Sequence, residues 1–178
     1  MNPIIRKLGL QIGFLVSIIQ ILITIYLYNF GSFVDMKIGM LIIFINILFG
    51  VITIFMVKKK QNNSITLRES FSGYFITILI SMTLSMLFYV GFFNILASSS
   101  KKESIKKELF TFQLQNMKDN NFPEEDIQKN IELSKNSNPF SLSTAIQSST
   151  KFLILYCILG IIFSFFIKNK SSFQEIPN

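Results

Sequence analysis

The chain has 178 residues, half of them hydrophobic, and its mean hydropathy is +0.49. Its formal net charge is +7, from 17 Lys and Arg residues against 10 acidic residues, and it contains one Cys and no His. This composition excludes an ordinary soluble domain, whose buried helices usually carry charged residues along one edge. The single cysteine also excludes an intramolecular disulfide.

The first two apolar segments are each long enough to cross a membrane as a helix. Residues 8–34 contain no charged residue, and residues 38–57 contain none either. A bilayer core about 30 Å thick requires roughly 20 apolar helical residues. The sequence therefore predicts spans at about 8–29 and 37–57. We expect the first span to stay uncleaved, because its apolar core is longer than that of a signal peptide and no A-x-A-like cleavage site follows it.

Two further spans are predicted in the second half of the chain. Residues 70–100 form the longest uncharged run, which predicts a span at about 71–97. The fourth run, 152–167, is short for a bilayer. A Lys near a helix end can extend its charged group to the membrane interface, so Lys151 fits within a span at about 149–168.

The polar connection between the third and fourth spans predicts a helical hairpin at about 101–137. Apolar residues recur at helical spacing in 101–117, and an Asp-Asn-Asn sequence at 119–121 breaks the helix. A second helix is expected to begin near Pro123. The predicted fold class is therefore all-α, an integral membrane four-helix bundle with an extracytoplasmic helical hairpin between spans 3 and 4, and residues 1–178 form a single membrane domain.

Positive charges predict the orientation of the chain, because short loops rich in Lys and Arg stay in the cytoplasm. The predicted cytoplasmic anchors flank the spans and are Arg6, Lys7, Lys58, Lys59, Lys60, Arg68, Lys168 and Lys170. Residues 101–151 carry eight Lys residues as well, but they are mixed with seven acidic residues. The density of positive charge near the span ends therefore predicts cytoplasmic termini. Because the basic residues flank spans, we expect them to contact anionic lipid rather than nucleic acid.

Each predicted span carries a row of small or polar residues spaced mostly three or four residues apart, which places them on one helix face. The members of these rows are Gly9, Gly13, Ser17, Gly39, Asn46, Gly50, Gly73, Thr77, Ser81, Ser85, Gly160 and Ser164. Small residues let helix backbones approach closely and polar ones bond across helices, so the pattern favours packing inside the bundle. The alternative is a polar route for a solute around Gln20, Asn46 and Ser81. Packing is preferred, because none of the four uncharged runs contains an ionised residue and no span contains a Pro.

The sequence predicts no catalytic residue, no cofactor and no metal site. His is absent, and the Ser and Thr residues have no evident activating neighbour. No Gly-rich phosphate loop and no Cys/His cluster is present. The acidic residues at 124–126 begin a predicted helix, where they favour its positive end and are more often dipole partners than metal ligands. An enzyme is therefore the least expected function.

Four short motifs, in chain order, resemble those of a known family. They read MNPIIRK at 1–7, ITLRESFSGYF at 65–75, PEE at 123–125 and NPFSL at 138–142. This pattern resembles the DUF4199 family of small four-span membrane proteins from Bacteroidetes-type bacteria, over nearly the whole chain. The resemblance implies an inner-membrane location with the hairpin in the periplasm. Because the family has no established activity, the resemblance implies no catalytic residue.

Two functional hypotheses follow from these patterns. The first is a non-enzymatic multi-pass inner-membrane protein, a scaffold or accessory subunit, surrounded by the lipid bilayer and bound to a membrane or periplasmic protein through residues 101–137. The alternative is a small transporter or channel for an unidentified solute. Amphipathic helices such as those of the hairpin serve equally to bind a partner or to rest on the bundle or the lipid surface.

Overall fold

The structure is a computed structural model that describes residues 2–135 and 137–169, with the side chain of Lys135 left out. These residues form helices connected by short turns. The helices are α1 (Pro3–Phe30), α2 (Met36–Lys60), α3 (Leu67–Gly91), a π-helical segment (Phe92–Leu96), α4 (Ser99–Asp119), α5 (Glu124–Lys135) and α6 (Leu142–Ile167). Helices α1, α2, α3 with its π-helical extension, and α6 are long and apolar enough to cross a membrane. The predicted all-α class with four such helices is confirmed.

Local capping residues set where the long helices begin, and two helices start well before the spans predicted within them. Asn2 accepts a hydrogen bond from the backbone N–H of Ile4 and begins α1. Ser141 accepts one from the N–H of Thr144, so α6 begins seven residues before the predicted span start at 149. The position of a bilayer along these helices stays a prediction.

Helix α3 lies at the centre of the bundle and contacts α1, α2 and α6, while α2 also contacts α1 and α6. Successive long helices run in opposite directions. The bundle therefore has two different ends. The basic end carries the first residues of α1 and α3 and the last residues of α2 and α6. The hairpin end carries α4 and α5.

The predicted anchors Arg6, Lys7, Lys58, Lys59, Lys60, Arg68 and Lys168 lie at the basic end, whereas Lys170 lies outside the described residues. Lys58 Nζ donates a hydrogen bond of 3.0 Å to the carbonyl of Ile167 and so caps the last turn of α6. The Ile65 N–H donates to Asn169 Oδ1 over 3.0 Å, and Asn169 Nδ2 donates to the Asn63 carbonyl over 2.6 Å. These bonds attach the end of α6 to the turn between α2 and α3.

Close packing in the basic half depends on glycines that face neighbouring helices. A Cβ atom built on Gly9 would lie 2.8 Å from Ile76 Cγ2, so α1 and α3 are nearly in backbone contact there. The buried ring of Tyr74 lies between Gly50 of α2 and Gly160 of α6, where built Cβ atoms would lie 2.5 and 2.6 Å from ring carbons. These glycines let three helices meet around one aromatic ring.

At the hairpin end, aromatic side chains join the long helices to the hairpin. The Phe93 side chain in the π-helical segment is fully buried and stacks on Phe140 with ring centroids 4.4 Å apart. Tyr28 and Phe33 contact the same Phe93 ring edge-on. The Ser32 hydroxyl donates a hydrogen bond to a Glu108 carboxylate oxygen and thereby attaches α4 to the turn between α1 and α2.

Helices α4 and α5 contact each other and form the predicted helical hairpin between α3 and α6. Gln113 Nε2 of α4 donates a 2.7 Å hydrogen bond to Asn130 Oδ1 of α5. Asn121 in the turn between them adopts the left-handed conformation, with φ of 54°, which Asn tolerates better than most residues. The side of a membrane on which the hairpin lies stays a prediction, and so does its binding of a partner through 101–137.

Candidate functional site

A cavity of about 470 Å³ lies between α1, α2, α3 and α6 in the half of the bundle next to the hairpin. Leu109 of α4 and Pro139 line it at the hairpin end, and Asn46 and Tyr156 line it near the middle of the bundle. We call this space the central cavity. Its volume falls within the range of roughly 300–1,000 Å³ that is typical of small-molecule sites.

The deep end of the central cavity is polar and is formed by Gln20, Asn46, Ser85 and Tyr156, which we call the polar floor. Gln20 Nε2 of α1 donates to Asn46 Oδ1 of α2 over 3.0 Å. The Ser85 hydroxyl of α3 donates to Gln20 Oε1 over 2.7 Å, and the Ser81 hydroxyl donates to Asn46 Oδ1 over 2.9 Å. Neutral hydrogen bonds therefore join three helices, and Tyr156 brings α6 next to Asn46.

The amides of the polar floor are buried and donate hydrogen bonds to protein acceptors. Gln20 is only 8% exposed and Asn46 only 2%. A side-chain amide nitrogen carries two hydrogens. Asn46 Nδ2 donates one of its hydrogens to the Ile42 carbonyl over 2.8 Å, and Gln20 Nε2 donates one to Asn46. The second Gln20 hydrogen has no acceptor among the residues that the structure describes, although Gln20 lines the cavity.

The remaining lining of the central cavity is uncharged. Aliphatic and aromatic side chains form the walls, and three hydroxyl residues of α6 line the part nearer the hairpin. The wall residues include Ile42, Ile43, Met82, Met86 and Phe152, and the hydroxyl residues are Thr144, Ser148 and Ser149. An ionised ligand would lose hydration here without gaining a counter-charge. The chemistry of the lining therefore fits an uncharged ligand that is largely apolar and has a few hydrogen-bonding atoms.

Between the polar floor and the basic end, the helices pack closely. Thr53 of α2 and Thr77 of α3 share a hydrogen bond of 2.9 Å between their buried hydroxyls. Ile54 and Ile78 are almost completely buried next to them, and the Tyr74 ring fills the space between α2 and α6. In this conformation the central cavity ends at the polar floor, which is the geometry of a binding site rather than of an open channel.

The residues of the predicted rows divide between packing and the central cavity. Gly9, Gly13, Gly50 and Gly160 lie against neighbouring helices. Asn46 and Ser85 line the cavity, and Ser81 bonds to Asn46 from beside it. Ser17, Gly73, Thr77 and Ser164 are buried between helices. Gly39 departs from the predicted packing: it is exposed, it lines the cavity, and a Cβ atom built there would meet nothing within 4 Å.

Several residues of the site were not identified from the sequence. The alternative polar route predicted from the sequence includes Gln20, whereas no sequence pattern points to Tyr156, Met82 or Met86. Large apolar residues are common on every face of a membrane helix, so periodicity does not show which of them face inward. Ser148 and Ser149 lie just before the fourth uncharged run, where no sequence pattern marks them as lining a cavity.

Comparison with known proteins identifies a family but no characterised relative. A family model described as "Protein of unknown function (DUF4199)" matches residues 7–169, which include every residue named in the central cavity. A search of curated proteins finds no match, and a search of solved structures finds none either. The resemblance inferred from the four short motifs is confirmed, and the chain belongs to the DUF4199 family.

Proposed function

We propose that this multi-pass membrane protein is a non-enzymatic accessory protein that binds a small uncharged molecule in the central cavity. The observation that carries the proposal is the buried Gln20 amide, which lines the cavity and whose Nε2 donates only to Asn46 among the residues that the structure describes. Gln20 Nε2 already donates to Asn46, so a ligand oxygen that accepts its second hydrogen would add one hydrogen bond, worth roughly 0.5–1.5 kcal/mol. That bond would orient the ligand on the polar floor.

The chemistry of the polar floor supports binding rather than catalysis. Its polar groups are two carboxamides, a serine hydroxyl and a tyrosine hydroxyl. Carboxamides neither accept nor release a proton near neutral pH, so they orient a ligand but do not act as general acids or bases. The Ser85 hydroxyl donates to Gln20 Oε1, which is too weak a base to activate it as a nucleophile.

The proposal is tested by extracting purified protein with organic solvent and measuring the released small molecules by mass spectrometry. The wild type is expected to release a neutral molecule in a fixed ratio to protein. Ala145→Phe fills the cavity near the hairpin and Ser148→Phe fills it deeper along α6, so both variants should lose that molecule. Ile154→Phe is the matched control, because Ile154 lies on the exposed face of the same helix. Equal amounts in all four proteins, or no molecule in the wild type, would overturn the proposal.

A small transporter is the second candidate, favoured by the depth of the cavity, which extends from the hairpin to the middle of the bundle. Transport would require the packing of Tyr74 between Gly50 and Gly160 to open. Osmotic swelling of proteoliposomes in a glycerol gradient distinguishes the two candidates. Swelling that exceeds that of empty liposomes and is lost in Asn46→Leu supports transport, whereas swelling equal to that of empty liposomes supports a binding role.

For the location, we propose a bacterial inner membrane with the basic end in the cytoplasm. The crowding of basic side chains at that end supports this orientation. In a Cys157→Ala background, single cysteines at Ser64 and Ser137 probe the two ends, since Ser64 lies between α2 and α3 and Ser137 between α5 and α6. A membrane-impermeant maleimide added to intact spheroplasts should label position 137 and spare position 64. The reverse pattern would contradict the proposed orientation.

A further inference from the structure

A second, shallower space lies directly behind one wall of the central cavity. It is a groove of about 220 Å³ between α3 and α6, which we call the outer groove. Its lining includes Leu79, Thr83 and Ile146, which are exposed on the outside of the bundle. If α3 and α6 span a membrane, this surface faces lipid.

Three side chains line both spaces: Met82 and Met86 of α3 and Ser149 of α6. A single layer of side chains therefore separates the central cavity from the outside of the bundle. Methionine is unbranched and has three rotatable side-chain bonds, so it adapts its shape more easily than other apolar residues. Ser149 is small and adds little to the barrier. Rotation of the two methionines would join the two spaces without separating the helices.

The two spaces together match an amphiphilic ligand, because the floor of the central cavity is polar and the outer groove is mainly apolar. The polar floor offers the second Gln20 N–H and the Tyr156 hydroxyl, which suit an uncharged oxygen acceptor. The outer groove is mainly apolar and contains Leu79 and Leu153, which suit a hydrocarbon chain. None of the residues that line either space is acidic or basic, so the charged headgroup of an ordinary phospholipid would find no counter-charge there.

We infer that the ligand of the central cavity is a neutral lipid with a hydroxyl or carbonyl headgroup, and that it enters from the bilayer between α3 and α6, past Met82 and Met86. This inference rests on the proposed binding function. The headgroup reaches Gln20 on the polar floor, and the chain extends through the layer of methionines into the outer groove. Entry from water at the hairpin end, past Thr144 and Ser148, is the competing route.

The experiment uses the full chain in phosphatidylcholine liposomes with three photoreactive probes, and it maps labelled residues by peptide mass spectrometry. The probes are a diazirine-bearing hexadecanol, a short water-soluble diazirine alcohol, and the hexadecanoate that matches the first probe. Hexadecanol is expected to label Tyr156 on the polar floor and Leu153 in the outer groove. The short alcohol and the hexadecanoate are expected to leave Tyr156 unlabelled.

Variants at the methionine layer test the route itself. Met82→Trp should abolish hexadecanol labelling of Tyr156 while leaving the label on Leu153 in the outer groove. Met86→Ala removes part of the barrier and should increase the initial rate of Tyr156 labelling. Leu87→Trp is the matched control, because Leu87 is 52% exposed on the same helix and lines neither space. In this control, hexadecanol should label Tyr156 to the same extent as in the wild type.

The outcomes separate the failure of this inference from that of the proposed function. If no probe labels Tyr156 in the wild type, the binding site itself is refuted and the inference is refuted with it. If the short alcohol labels Tyr156 equally in the wild type and in Met82→Trp, the site stands and lateral entry is refuted. If hexadecanoate labels Tyr156 as strongly as hexadecanol, the requirement for an uncharged headgroup is refuted.

Discussion

Replacing Gly50 with alanine tests whether the packing around Tyr74 holds the basic half of the bundle together. The added Cβ atom would lie 2.5 Å from Tyr74 Cε2 and 2.6 Å from Cδ2. Ordinary contacts begin at 3.4 Å, so the ring must recede by about 0.9 Å. It cannot do so freely, because the opposite edge of the ring lies against α6, with Cδ1 2.6 Å from a Cβ atom built on Gly160.

Overpacking of this kind typically costs about 1–3 kcal/mol. Alanine also favours helix formation over glycine, which would partly mask the steric cost. Gly39→Ala is therefore the matched control, since Gly39 lies in the same helix and its built Cβ atom meets nothing within 4 Å. We expect Gly50→Ala to be less stable than Gly39→Ala by about 1–3 kcal/mol, because the difference between the two variants cancels the helix-propensity term.

The sole cysteine, Cys157, provides the assay, because it is partly buried in α6 near the polar floor. Its reaction with a fluorogenic maleimide during an SDS titration in mild detergent reports separation of α6 from the bundle. Tyr74→Leu should reduce the difference between the two alanine variants, since the smaller side chain leaves room at Gly50. If Gly50→Ala and Gly39→Ala unfold at the same SDS fraction, the close contact with Tyr74 does not determine stability.

Two further substitutions test the polar floor and the hairpin end in the same titration. Asn46→Leu removes two interhelical hydrogen bonds, at roughly 0.6 kcal/mol per bond, and should destabilise the bundle by about 1 kcal/mol. Gln11→Leu is the control, because Gln11 is exposed and its replacement should have little effect on stability. If Asn46→Leu and Gln11→Leu unfold at the same SDS fraction, the hydrogen bonds of the polar floor do not contribute to stability. Phe93→Ala should cost at least about 3 kcal/mol, while Ile95→Ala, at a side chain that is 82% exposed, should cost little. A Phe93→Ala protein as stable as the wild type would contradict a packed hairpin end.

The helices themselves could be predicted from the sequence, because the information that specifies them is local. The length of an uncharged apolar run indicates a membrane helix without reference to the rest of the chain. Hairpin helices α4 and α5 were likewise predicted from periodicity and from the break at 119–121. The start of α6 at Leu142 was missed, because its first turns are too polar to belong to the apolar run.

The central cavity depended on tertiary structure, because its floor combines Gln20, Asn46, Ser85 and Tyr156 from four helices. Spacing along one helix shows which residues share a face, but not which faces meet or how far apart the helices lie. Gly39 and Gly50 belong to the same row, yet Gly50 contacts Tyr74 while Gly39 faces open space. The helices pack closely in the basic half and leave a cavity in the hairpin half, so only the packed bundle distinguishes a packing glycine from one that lines a site.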